Sequence, residues 1–93
     1  MNNKYQYSII KDLKLRTQRG ISFEQIIKYI EQGQLLDVIP HHNQSDYPGQ
    51  EILLIEINHY VWMVPSRKIK GVTHLITAFK SRKYTKEYSG NDR

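Results

Sequence analysis

Between residues 80 and 88 the chain reads "KSRKYTKEY", with four cations and two tyrosines in nine residues: Lys80, Arg82, Lys83, Tyr84, Lys86 and Tyr88. Arg offers a phosphate two parallel N–H donors, and Lys offers a point charge. Tyr stacks on a base or hydrogen-bonds a phosphate. Cleaving RNA through its ribose 2′-OH needs little more than such groups, and no metal. One group takes the hydroxyl proton, a cation stabilises the charge developing on phosphorus, and an acid protonates the leaving oxygen. A solvated basic tail has the same composition, so the stretch alone fits either role. His41 adds a group that titrates near neutrality and is a speculative acid or base. A plain surface-loop histidine is the alternative reading of the same residue.

Other chemistries find no residues. His41 and His42 are adjacent, His59 and His74 are isolated, and the chain has no cysteine, so no zinc-type ligand spacing exists. Ser66 and Ser81 lack the G-x-S-x-G setting of a nucleophile elbow, and no phosphate-binding P-loop is present. No cofactor is expected.

The charge is unevenly distributed. Residues 1–65 carry six Lys/Arg against seven Asp/Glu, residues 66–93 carry eight against two, and 29–66 contain no Lys or Arg. Such segregation points to an anionic partner for the C-terminal part, nucleic acid being the commonest, or to a solubilising tail. Ninety-three residues make a single domain with a basic C-terminal segment, 80–93. No apolar run is long enough for a membrane span, and the N-terminus has no signal-peptide core. With zero cysteines, these features lead us to expect a cytoplasmic protein without membrane contact.

The elements that must position the basic stretch are legible in part. "ISFEQIIKYIEQG" predicts a helix with Ser22 as N-cap, Gln25 completing a capping box, and Ile21 and Ile26 placed for a hydrophobic staple. Phe23, Ile26, Ile27 and Ile30 form its apolar stripe, and Gly33 stops it. An earlier helix is predicted over about residues 8–18, with a narrow apolar face of Ile9, Ile10 and Leu13, a basic remainder, and Gly20 at its end. "YQY" before it reads as a short strand. After Gly33 the period changes to 2. Strands are expected at 35–39, 51–57, 60–66 and 72–79, with a loop at 40–50, a type I′ turn at Asn58–His59 and a polar turn at 67–71. Trp62 reads as core or partner interface rather than a stacking platform. A short helix follows over about 82–88. The expected architecture is α+β: two N-terminal helices packed on a mostly antiparallel four-stranded sheet, the other face left free as a working surface, and a short C-terminal helix.

In this order the segments "RGISFEQIIKYIEQGQLLDVI", "HHNQSDYPGQ", "YVWMVPS" and "ITAFKSRKYTKEY" resemble those of the BrnT-type toxins, over roughly residues 8–88. The most specific pieces are "RGISFE" and "SRKYTKEY". The resemblance implies a RelE-like fold and the toxin of a bacterial type II toxin–antitoxin module. Such a toxin is a metal-independent endoribonuclease that arrests translation. It also implies a cognate antitoxin, small and DNA-binding, that neutralises the toxin, and operator DNA bound only through that complex. RNA, with or without the ribosome, would be the substrate. Carried over by residue, Ser81, Arg82, Lys83 and Thr85 match the closing motif, Tyr88 its final tyrosine, Arg19 the basic residue before "GISFE", and His41 the loop histidine. His42 and Lys80 stand where the pattern has other residues, and the N-terminal F-x-W-D of the wider family is absent. On this resemblance Arg82, Lys83 and His41 are expected to act in catalysis and Arg19 and Tyr88 to bind RNA, with Lys80 and Lys86 expected to support that binding by their charge. The alternative is a non-catalytic nucleic-acid-binding or protein-interaction module that uses the same basic segment.

Overall fold

A computed structural model describes residues 4–88. The elements are β1 (Tyr5–Tyr7), α1 (Ile9–Arg19), α2 (Phe23–Tyr29), a π turn (Ile30–Gln34), β2 (Leu35–Pro40), β3 (Gln50–Ile57), β4 (Tyr60–Ile69), β5 (Val72–Leu75), β6 (Phe79–Lys80) and α3 (Arg82–Tyr88). The class is α+β, as expected. The final five residues of the predicted basic segment lie outside the described residues.

The helices start and stop where the side chains dictate. Ser8 caps α1, its hydroxyl accepting from the Lys11 N–H, and Gly20 ends it at φ +70°. Ser22 and Gln25 form the expected capping box on α2. Ile21 and Ile26 are both buried in one cluster. Gly33 takes φ +90° within the π turn that releases the chain into β2.

The sheet runs β1-β5-β4-β3-β2, with β6 pairing the other end of β4. All pairings are antiparallel except β1 with β5. The expected third meander strand is therefore present in two pieces, β5 and β6, both paired to β4 and separated by 76–78. The strand from 60 runs on to Ile69 because Lys70 and Gly71, both at positive φ, close a two-residue turn. Residues 67–69 are thus strand, not turn. Asn58 and His59 close the other hairpin at φ +53° and +66°.

Alternation along the two central strands sends apolar groups to both faces. Leu53, Ile55, Ile57, Trp62 and Val64 meet Phe23, Ile26 and Leu15 on the face covered by α1 and α2. Ile52, Leu54 and Val61 form a second cluster, joined by Met63 and by Tyr84 of α3. The face expected to be free is thus partly covered by α3, because Leu54 and Val61 need burial.

One expectation about α1 fails. Its buried residues are Asp12 and Leu15, while Ile9, Ile10 and Leu13 face outward. Asp12 displaces them because its carboxylate has two partners: Oδ1 accepts the buried Phe23 N–H at 2.8 Å, and Oδ2 pairs with the exposed Arg16 at its Nε, 3.0 Å away. Asp12 thereby fixes the start of α2 to α1. Asp12→Ala leaves a buried Phe23 N–H without its acceptor, and we expect it to lower stability by about 2 kcal/mol in urea denaturation.

Candidate nucleic-acid interface

The motif "SRKYT" divides into residues that seat α3 and residues that α3 presents. Ser81 is buried, and its hydroxyl accepts the Tyr84 N–H at 3.1 Å as an N-cap. Its own N–H donates to the Val61 carbonyl at 2.9 Å. Thr85 Oγ1 donates to the Ser81 carbonyl at 2.6 Å and accepts the Val61 N–H at 2.8 Å. These bonds lock the helix to the first residues of β4. Arg82, Lys83 and Lys86 are left exposed, and they line an open depression of about 410 Å³ together with Glu87. Among the described residues none of the three cations has a carboxylate within ion-pair distance. Lys83 lies 5.2 Å from the Tyr84 ring centroid.

Tyr88 ends α3 by donating its hydroxyl to Asp37 Oδ2 at 3.0 Å. That bond, with the neighbouring negative charge, holds its phenol above the ordinary range, so Tyr88 is a neutral donor already in use. Its ring, not its hydroxyl, remains available to a ligand.

Arg19 and Lys80 sit on the other face. They line a groove of about 290 Å³ with Gln25, Tyr29, Asn58, Tyr60 and Trp62. Lys80 pairs with Trp62 across the β4–β6 ladder, and its ammonium stands 5.3 Å from the Tyr60 ring centroid and 5.8 Å from that of Trp62. Trp62 itself is 5% exposed and belongs to the core, as its strand position suggested. Tyr29, Tyr60, Gln25 and Asn58 are groove residues that the sequence reading missed. The i, i+2 spacing of Tyr60 and Trp62 was a usable signal, but it needed the partner strand to bring Lys80 over them.

The two basic surfaces are continuous. Only Ser81 separates Lys80 from Arg82, at most about 7 Å of chain. Between them the backbone passes round the edge formed by β6, from the groove face to the α3 face. Arg19, Lys80, Arg82, Lys83 and Lys86 therefore follow one path over that edge.

His41 does not join them. Its backbone N–H bonds to the Gln50 carbonyl, level with Arg67 in the β3–β4 ladder, whereas Ser81 bonds at Val61. Six strand residues separate those levels, about 20 Å along the sheet. The imidazole stacks on Tyr47, ring centroids 4.4 Å apart, and on His42 at 4.8 Å. Its Nδ1 accepts the Asn43 N–H at 3.0 Å, which places the ring proton on Nε2 and occupies a lone pair a base would need. Among the described residues no three of His, Cys, Asp and Glu gather as a metal-binding group.

Comparisons of the chain with family models, with curated proteins and with solved structures find no match. What fold and surface define together is a small α+β protein with a basic path over one sheet edge.

The seating of α3 is testable apart from any activity. Thr85→Val removes the acceptor for the Val61 N–H and should cost about 1–2 kcal/mol. Amide exchange should accelerate along 82–88 before the rest of the sheet is affected.

Proposed function

We propose that this protein binds and cleaves RNA as the toxin of a bacterial toxin–antitoxin module. The observation that carries the reading is the division of labour in "SRKYT". Ser81 and Thr85 clamp α3 to β4, and Arg82 and Lys83 project from that clamped helix with no carboxylate of the described residues within ion-pair distance. Cations carried on a backbone that is already seated suit a developing phosphorane charge, because the helix need not reorganise during the reaction. The ordered resemblance of four segments to BrnT-type toxins supplies the biological role.

On this reading the ribose 2′-oxygen attacks the adjacent phosphorus and the bond to the 5′-oxygen breaks. A 2′,3′-cyclic phosphate results, and the departing 5′-oxygen takes a proton from water to become a free 5′-hydroxyl. Arg82 and Lys83 hold the non-bridging oxygens. Glu87 shares their depression and is the group there with a lone pair for the 2′-hydroxyl proton. His41, distant and with its Nδ1 engaged, takes no part in this step. Arg19 and Lys80 hold the phosphates upstream or downstream as the strand turns over the β6 edge, and Lys86 and the Tyr88 ring extend the contact along α3. A cognate antitoxin would neutralise the protein by covering this path with acidic side chains. Operator DNA would be reached only through that complex, and the site of action would be the cytoplasm. No described helix is long and apolar enough to cross a membrane.

A second reading, binding without cleavage, is favoured by one observation: no histidine lines the depression that holds Arg82, Lys83 and Lys86. The two readings separate in a single set of variants. Induced in a bacterial host, the wild type should arrest growth. Arg82→Ala/Lys83→Ala should relieve arrest while accumulating as soluble protein, with RNA cleavage down about 10²–10³-fold. Glu87→Gln should lower cleavage and leave RNA affinity nearly unchanged. Arg19→Ala/Lys80→Ala should instead weaken RNA binding and flatten its salt dependence by about two ion releases. RNA affinity without cleavage by the wild type would establish the second reading. Abundant wild-type protein with neither effect would exclude both.

A further inference from the structure

The outward side of α1 is apolar where an outer helix face is usually polar. Ile9, Ile10 and Leu13 are 72%, 70% and 56% exposed. At 3.6 residues per turn they fall within an arc of about 100°, turned away from Leu15 and Asp12, which anchor the helix. Nothing in the fold requires aliphatic residues there. Branched side chains at three exposed positions of an 11-residue helix add no helical propensity over polar ones and keep their surface in water.

The charges around the stripe select its partner. Lys14 and Lys11 border it on one side and Arg16 on the other. The single acid of α1, Asp12, is buried and bonded to Arg16 and to the Phe23 N–H. The exposed part of α1 thus carries aliphatic and cationic groups and no anion. Beside it lies a hollow of about 220 Å³ between α1 and 76–77, lined by Lys11, Lys14, Gln18 and Arg19. A second copy would bring like charges face to face across the same stripe. RNA has no apolar surface to match Ile9, Ile10 and Leu13. Three aliphatic side chains without Trp or Phe make a small anchor for a lipid surface.

From this pattern we infer that α1 is a docking helix for an acidic amphipathic helix of a partner protein, whose apolar side covers Ile9, Ile10 and Leu13 and whose carboxylates meet Lys11 and Lys14. The mode is helix against helix, read through i, i+3 and i+4 anchors. The site is separate from the α3 cations and does not rest on the RNA reading. A partner held at α1 still leaves Arg82 and Lys83 open.

The test uses the full chain and a synthetic helical peptide with leucines at i, i+3, i+4 and i+7 and glutamates on both flanks. A control peptide carries lysines in place of the glutamates. Fluorescence anisotropy should give saturable binding of the acidic peptide, weakened by salt. Ile10→Ser/Leu13→Ser and Lys11→Glu/Lys14→Glu should each weaken it about tenfold or more. Both pairs are exposed, so the variants should keep the wild-type circular dichroism and melting. Amide shifts on peptide addition should centre on 9–17. Absence of saturable binding, equal binding of the lysine peptide, or binding unchanged by either variant would overturn the proposal. So would shifts centred on α3. Sedimentation showing self-association that Ile10→Ser/Leu13→Ser abolishes would replace it with a second copy as occupant. Binding to anionic vesicles, lost in that variant, would replace it with a membrane.

Discussion

The hairpin of β3 and β4 is apolar on both sides, and everything else in the fold answers to that. Leu54, Ile55, Val61 and Val64 are fully buried, yet they alternate between faces. A two-sided apolar hairpin cannot leave either side to water. One side takes α1 and α2 through Phe23, Ile26 and Leu15, and the other takes Tyr84 of α3. The need for a second cover is what brings the basic C-terminal segment back onto the sheet. Without it, Arg82 and Lys83 would lie on an extended tail.

That constraint shapes the basic surface. The chain delivers Lys80 on the first face and begins α3 on the second, so it must round the sheet edge between them. The resulting surface is a ridge with a groove on one flank and a helix on the other, not a single pocket. A ridge suits a flexible anionic strand better than a compact ligand, since successive phosphates can follow the turn. It also explains how cations near in sequence come to serve different faces.

Much of this was legible in the sequence wherever a local rule decided the outcome. The capping box of Ser22 and Gln25, the left-handed Gly20 and Gly33, and the Asn58–His59 turn all rest on contacts within a few residues. What depended on distant partners was misread. Ile9, Ile10 and Leu13 have helical spacing, but the inward position went to Asp12, whose worth lay in a bond to Phe23, eleven residues on. The run 67–69 looked like a turn because Arg67 and Lys68 are charged and Lys70–Gly71 follow, whereas its backbone pairs with β5. The candidate site divided the same way. The cations of α3 were visible as composition, but Tyr60 and Tyr29 became neighbours of Arg19 and Lys80 only through strand pairing and helix placement. His41 was selected by type, and type carries no information about the strand levels that separate it from Arg82.

The clamp between Ser81, Thr85 and Val61 also sets an order of events during synthesis. A ribosome releases the chain from its N-terminal side, and α3 follows every strand in that order. The helices α1 and α2 and the hairpin can assemble first, with Leu54, Val61 and Met63 still bare on one side. Only when residues 81–88 clear the exit tunnel does that side close, and the same step seats the backbone that carries Arg82 and Lys83. Completion of the core and placement of the basic helix are thus one event.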